Sequence, residues 1–209
     1  MDVYKTEDEQ LETFKKWWAE NGKSAVFGIV LGLGGIFGWR AWQANIISQA
    51  EAASTIYEQS IIAANQGNVT DARNYAGQII ENYGKTGYAV FASLILAKLA
   101  AEESDYSGAA EHLSRALETV GQEPLRHEIR LRLARIYIAD NKLDQAMTLL
   151  NTGQTGAFSP VYHELKGDIH VLQNKPAEAR TAYQQAILEA QSASIDQSLL
   201  NIKLDSVGN

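Results

Sequence analysis

The chain has 209 residues, of which 45% are hydrophobic and 21% are charged, with a formal net charge of -7 and no cysteine. This composition is typical of a folded globular protein, and the absence of cysteine excludes disulfides, thiolate zinc sites and cysteine nucleophiles. Acidic and basic residues are interspersed, so the sequence does not predict the clustered basic face with which proteins bind nucleic acid.

Residues 1–23 are predicted to form a short amphipathic helix on a membrane surface. Thr6 and Glu9 have the spacing of an N-terminal capping box. Apolar residues then recur at helical spacing, at Leu11, Phe14 and Trp18. We expect this helix to end near Asn21 and Gly22. A helix that docks onto a cytoplasmic partner is the alternative interpretation.

A membrane-spanning helix is predicted over residues 24–42. The uncharged residues from Ser24 to Trp39 span roughly 24 Å as a helix, a little less than the roughly 30 Å of the hydrocarbon layer. Aromatic and basic side chains at both ends are expected to anchor the helix at the interfaces, and they are Trp17, Trp18, Lys23, Trp39, Arg40 and Trp42. A signal peptide or a buried core helix fits poorly, because an acid-rich segment precedes the span and glycines interrupt it.

The glycines of the span are predicted to let another membrane helix pack closely against it. They are Gly28, Gly32, Gly34, Gly35 and Gly38, and they include two GxxxG spacings. Because such spacings are common in glycine-rich spans, the prediction is a groove for some partner helix and not a specific dimer motif.

Basic residues near the two ends of the span predict its orientation. Lys15, Lys16 and Lys23 precede the span, whereas Arg40 is the one basic residue close to its other end. Since basic flanks stay in the cytoplasm, the N-terminus is predicted to be cytoplasmic and residues 43–209 to be exported.

Residues 43–209 are predicted to form a stack of helical pairs. Four segments carry a small residue followed twelve positions later by alanine, at Ser60/Ala72, Ala97/Ala109, Ala134/Ala146 and Gly167/Ala179. This pattern resembles the tetratricopeptide repeat, in which two antiparallel helices cross where small residues meet. The predicted fold class is therefore all-α, with one N-terminal transmembrane helix followed by a tetratricopeptide-like α-solenoid.

Helix boundaries in this domain are marked by proline. Pro124, Pro160 and Pro176 each fall where a helix is expected to begin, and Ser159 is a natural cap before the second of them. The tail after Ser192 is expected to form a last helix that covers the end of the stack. Its apolar residues are Ile195, Leu199, Leu200, Ile202 and Leu204.

A stack of this kind offers a concave surface for binding a protein partner. Its candidate lining residues are Phe91, Leu94, Lys98, Leu131, Arg135, Ile138 and Asp168. An arginine-rich stretch overlaps this set, at Arg126, Arg130, Arg132 and Arg135, and we favour a solvated helix surface over a patch for acidic peptides. Repeat domains that clamp a chain-terminal carboxylate use cations on successive helices, and Glu128 stands where one of them would be needed.

The sequence predicts no catalytic, cofactor or metal site, and hence a protein that is not an enzyme. The four histidines are His112, His127, His163 and His170. The last two are seven residues apart, roughly 10 Å along a helix, which is too far to share one zinc ion. The exported part has no phosphate-binding glycine loop, zinc-protease motif or serine-hydrolase motif.

Several segments together are similar to the YfgM-type proteins, the ancillary subunits of the bacterial SecYEG translocon. They are AENGK at 19–23, the span ending GWR at 38–40, YAVFASLILAK at 88–98, LRLARI at 131–136 and LLNIKLDSV at 199–207. The likeness extends over nearly the whole chain, and the N-terminal block with its span is the specific part.

The resemblance implies a single-pass protein of the bacterial inner membrane with a periplasmic repeat domain. It further implies association with SecYEG and with the membrane-anchored periplasmic chaperone PpiD, and assistance to exported polypeptides as they emerge. An envelope scaffold for cell-wall or division complexes, and a stress-response regulator that acts through the cytoplasmic head, are the alternative functions.

Overall fold

A computed structural model of the chain describes residues 7–207, which are helical and contain no β-strand. The predicted capping residue Thr6 and the rest of residues 1–6 lie outside the described range. The chain divides into two compact units, residues 1–49 and residues 50–209. The all-α prediction is confirmed.

The helices of the described range follow one another with short connections. They are α1 (Glu7–Asn65), α2 (Val69–Asn82), α3 (Gly87–Glu102), α4 (Tyr106–Thr119), α5 (Glu123–Ala139), α6 (Leu143–Leu150), α7 (Ser159–Leu172), α8 (Pro176–Ser192) and α9 (Ser198–Ser206). In the second unit the end of α1 packs against α2, and α3/α4, α5/α6 and α7/α8 form three further pairs. The last helix, α9, packs against α8.

The predicted end of the first helix near Asn21 and Gly22 is wrong, because α1 continues through both residues. The side-chain amide of Asn21 donates to the carbonyl of Trp17 at 3.2 Å, within the helix. The indole of Trp18 covers Gly22, where a Cβ would lie 3.2 Å from Trp18 Cε2. A glycine in a helix costs only about 1 kcal/mol relative to alanine, which is too little to end the helix here.

One helix of the described range, within residues 9–65, is long and apolar enough to cross a membrane. None of its most apolar stretch is buried by the rest of the protein. The core helix of a soluble protein would bury such a stretch against its neighbours, so the stretch is a candidate membrane span by length, composition and exposure.

The four small-residue pairs lie at the helix crossings of the second unit, as predicted. Each first member is on the first helix of a pair, each second member is on the second helix, and all eight residues are buried. In the first pair the hydroxyl of Ser60 donates to the backbone carbonyl of Ala72 at 2.9 Å, directly across the crossing. In the fourth pair Gly167 lies against the ring of Tyr183. The repeat prediction is therefore confirmed.

The turns within the pairs share a backbone conformation that was not predicted. One residue in each turn has a positive φ, and these residues are Gly67 (75°), Ser104 (63°), Asn141 (55°) and Asn174 (56°). The next N–H donates to the carbonyl five residues earlier, for example from Asp105 to Ala100 at 2.8 Å. This is the Schellman ending of a helix, which satisfies carbonyls that the helix leaves unpaired.

The prolines begin helices as expected, since each occupies the first turn of α5, α7 or α8. The expected capping role of Ser159 is wrong. A 3₁₀ turn, Gly156–Phe158, leads into α7, so Phe158 holds the cap position and Ser159 is already helical. The side chain of Ser159 instead lies near the carboxylate of Glu189 and contributes to lowering its pKa.

The predicted last helix is present as α9, but it covers the end of the stack only in part. Leu200 is buried against α8, whereas Leu199 and Ile202 are 58% and 67% exposed. A polar contact also holds the helix, because Lys203 Nζ lies 2.7 Å from both Glu164 Oε1 and Asp168 Oδ1 on α7. Burial of Leu200 and the ion pairs of Lys203 therefore together hold α9 against α8 and α7.

We predict that alanine has opposite effects at two helical glycines. At Gly167 a Cβ would lie 2.6 Å from Cδ1 of the buried Tyr183 ring, so Gly167→Ala overpacks the crossing by about 1–3 kcal/mol. At Gly77 a Cβ meets nothing within 4 Å, so Gly77→Ala raises the free energy of unfolding by about 0.5–1 kcal/mol through helix propensity. Thermal unfolding of the full chain in detergent measures both. A higher melting temperature for Gly167→Ala would contradict the close crossing.

Candidate protein-binding groove

The structure brings three of the predicted lining residues, Leu94, Lys98 and Arg135, to one cavity of about 270 Å³ between α3, α4 and α5. We name this cavity the α3/α5 groove. Its full lining is Leu94, Ala97, Lys98, Ala101, Leu113, Arg132, Arg135 and Ile136.

Helical spacing places these side chains on facing surfaces. Leu94, Lys98 and Ala101 recur at intervals of four and three on α3, and Arg132 and Arg135 are three apart on α5. Leu113 of α4 is a buried residue of the adjoining core. The floor of the groove is therefore apolar, and cations from two different helices form its rim.

The rim cations are weakly neutralised. Lys98 Nζ lies 3.7 Å from Glu102 Oε1, and Arg132 Nε lies 4.0 Å from Glu128 Oε2, with all four side chains about half exposed or more. Surface pairs of this kind contribute at most about 1 kcal/mol. Within the described part of the chain, Arg135 has no ion pair.

The four arginines of α5 serve different purposes. Arg126 Nη2 donates to the carbonyl of Val120 at 2.6 Å and so holds the end of α4. Arg130 faces the hydroxyl of Tyr162 at 3.5 Å. Arg132 and Arg135 remain at the rim of the α3/α5 groove. The arginines are thus spread around the helix, as the favoured interpretation expects, but two of them share one site.

An aromatic cluster that was not predicted as a group includes a fourth candidate residue, Phe91. Its ring centroid lies 5.9 Å from that of Tyr57 on α1 and 6.4 Å from that of Tyr88 on α3. Phe91 is 38% exposed and precedes Leu94 by three residues, on the same side of α3. Tyr57 lies three residues before Ser60, the small residue of the first pair, and the alignment of the repeats on their small residues is the sequence signal that points to this cluster.

The other three candidates do not line the open groove. Leu131 is 2% exposed and belongs to the core, because α7 packs against α5 at that point. Ile138 packs against the same core cluster. Asp168 accepts a hydrogen bond from the hydroxyl of Tyr183 at 2.8 Å and pairs with Lys203. The groove is therefore open beside α3 and closed near α7.

The glycines of the predicted span are exposed on α1. A Cβ built at any of the five would meet nothing within 4 Å. At 100° per residue, Gly28, Gly32 and Gly35 fall on one face of the helix. The expected anchors are also exposed at both ends of the span, where the Trp17 and Trp18 rings lie 6.3 Å apart and the Trp39 and Trp42 rings 4.9 Å apart.

Two of the four histidines contact residues of other helices or of the turn before α7. His127 Nδ1 lies 2.9 Å from the hydroxyl of Tyr162, and its ring stacks on Phe158 at 5.0 Å. His163 Nε2 lies 3.6 Å from Glu189 Oε1. No group of three or more potential metal ligands occurs among residues 7–207.

Comparison with known proteins agrees with the repeat architecture. Residues 15–209 match the family described as a tetratricopeptide repeat-like domain. A Haemophilus influenzae protein named "Ancillary SecYEG translocon subunit" is 34% identical over 98% of this chain and 100% of its own length. Proteins of the same name from Aggregatibacter actinomycetemcomitans (31% identity, 96% of this chain and 97% of the relative) and Escherichia coli (29%, 90% and 90%) are also similar.

We predict that the repeat domain loses stability as the pH falls below about 6.5. Burial lowers the pKa of His112 and, against the attraction of Glu189, that of His163. Because each pKa is lower in the folded state than in the unfolded state, protonation of the two histidines favours unfolding. The free energy of unfolding is therefore unaffected by them above a pH of about 6.5 and decreases as the pH falls below it.

Melting temperatures at about pH 7.5 and pH 5.5 test this expectation. The double variant His112→Gln/His163→Gln is expected to show a smaller decrease between the two values than the wild-type chain. An equal decrease in both proteins would assign the effect to other groups. Wild-type measurements at about pH 7.5 and pH 8.5, both above the unfolded histidine pKa, serve as the control and are expected to agree.

Proposed function

Because the chain belongs to the family of ancillary SecYEG translocon subunits, we propose that it is such a subunit, tethered to the membrane and assisting the export of proteins. The observation that carries this proposal is the length of the similarity, which covers 98% of this chain and the whole of the Haemophilus influenzae relative. The similarity thus includes the apolar helix and the repeat domain together, and not only a repeat that many unrelated proteins share.

The proposed topology has three parts. Residues 1–23 form a cytoplasmic head, residues 24–42 cross the inner membrane once, and residues 43–209 form a periplasmic repeat domain. The excess of lysine before the span and the exposed apolar surface of α1 support this arrangement. A periplasmic location brings the repeat domain to the side of the membrane on which exported chains emerge.

We propose that the protein acts by binding other proteins and not by catalysis. Helical repeats bind partners over extended surfaces, and the α3/α5 groove is an open apolar surface of this kind. The periplasmic chaperone PpiD and emerging polypeptides are the proposed partners beside SecYEG. The apolar floor of the groove supports the binding of unfolded segments, which expose apolar side chains.

Copurification in mild detergent tests the proposed function, and we expect SecYEG to be recovered with the chain. Protease added to spheroplasts is expected to digest residues 43–209 and to spare the head. Protection of the repeat domain would contradict the topology. Recovery of cell-wall or division proteins in place of SecYEG would favour an envelope scaffold, and loss of function on deleting only residues 1–23 would favour a regulator.

Leucine at two glycines of the span is expected to reduce copurification of SecYEG. Gly28 and Gly32 lie one turn apart on one face, so Gly28→Leu/Gly32→Leu fills the space that a neighbouring helix would occupy. We expect a loss of about tenfold, corresponding to about 1.4 kcal/mol, with unchanged membrane insertion. The matched control Val30→Leu/Phe37→Leu alters the opposite face and is expected to have no effect. Equal losses in both variants would exclude a role for the glycine face.

A further inference from the structure

The α3/α5 groove has a chemical character that narrows the proposed partner class, and the inference drawn from it rests on the proposed function. Its volume of about 270 Å³ lies just below the roughly 300–1,000 Å³ typical of small-molecule sites. A whole helix, with a diameter of roughly 10–12 Å, is also too large for such a cavity. The space suits one apolar side chain that projects from an extended segment.

The floor selects an apolar side chain. Leu94, Ala97, Ala101 and Ile136 contribute it from α3 and α5, with Leu113 below them on α4. Because these side chains contain no hydrogen-bonding group, a polar side chain placed here loses water without gaining a partner. An aliphatic or aromatic side chain placed here instead gains free energy because its apolar surface is removed from water.

The rim selects negative charge beside that side chain. Lys98 on α3 and Arg132 and Arg135 on α5 surround the floor, in a chain whose net charge is -7. Glu102 and Glu128 lie at 3.7 and 4.0 Å from two of these cations, distances at which a carboxylate of a ligand can compete. Arg135 is free to bind a carboxylate in a bidentate manner.

A second apolar surface continues the groove toward the first pair of helices. Phe91 lies three residues before Leu94 on α3, and its ring lies within 6.4 Å of those of Tyr57 and Tyr88. Aromatic side chains present large contact areas with little loss of conformational entropy on binding. An extended segment that leaves the apolar floor in this direction meets the cluster within a few residues.

We propose that the α3/α5 groove binds an extended polypeptide segment in which an apolar side chain is flanked by acidic residues. The apolar side chain occupies the floor, and the carboxylates pair with Arg135, Arg132 and Lys98. The aromatic cluster holds a further apolar residue on the other side. The occupant is thus an apolar and acidic stretch of a partner protein, and not the terminal carboxylate of a chain.

Three fluorescent peptides and the full-length protein in detergent micelles test the proposal. The first peptide has one leucine flanked on each side by two aspartates in a glycine and serine background. The second replaces the aspartates with lysines, and the third replaces the leucine with serine. Fluorescence anisotropy at low salt is expected to show that the first peptide binds at least about tenfold more tightly than either of the others.

Two substitutions and one control locate the site. Arg135→Glu is expected to abolish the preference for aspartate over lysine. Ala101→Phe is expected to fill the floor of the groove and to weaken binding of the first peptide by at least about tenfold. Arg180→Glu is the control, because this substitution changes the net charge by the same amount at an exposed position on α8, far along the chain from the groove. Unchanged melting temperatures show that the variants are folded.

Each outcome decides the proposal. Loss of the aspartate preference in Arg135→Glu but not in Arg180→Glu supports the proposal. Equal loss in both variants would attribute the preference to the net charge of the domain and would overturn the proposal. No preference in the wild-type protein, or a preference for lysine, overturns it. SecYEG copurification is measured with the same variants, so that a failed peptide preference with intact copurification rejects the groove inference and leaves the proposed function standing.

Discussion

The close crossing of two helices at a pair of small residues is the contact on which the second unit depends. At each crossing the backbones approach because neither side chain occupies the space between them. The buried pairs Ala97/Ala109 and Ala134/Ala146 consist of alanine alone, and the pair at Ser60 adds a hydrogen bond to the backbone of the facing helix. A larger side chain would separate the helices and, with them, the neighbouring pairs.

The site follows from this crossing. Since Ala97 keeps α4 close behind α3, the side chains one turn away on α3 point toward α5 and form the floor of the groove. In the fourth pair the crossing works differently, because Gly167 admits the Tyr183 ring, whose hydroxyl donates to Asp168. Lys203 of α9 then binds the same carboxylate. The same repeat chemistry therefore opens the groove at one end and closes it at the other.

Small residues have opposite fates in the two units because the surroundings differ. In the second unit the alanines are buried in water-excluding cores between helices. In α1 the glycines are exposed and meet nothing within 4 Å. In lipid, exposed glycine allows close packing of another helix, whereas in water it mainly weakens the helix that contains it. Small residues thus serve internal packing in the second unit, and in α1 we propose that they serve the packing of another membrane helix.

The sequence by itself determined the apolar span, the four helical pairs and the residues at their crossings. These features depend on local spacing and composition, which act within one helix or between adjacent helices. Only the tertiary structure decided that Leu131 is buried, that Asp168 is taken by Lys203, and that Tyr57 joins Phe91. These outcomes depend on contacts between residues far apart in sequence, and no spacing rule specifies which side chains such contacts cover. The continuation of α1 through Gly22 has a local reason instead, because a single glycine costs a helix too little to end it.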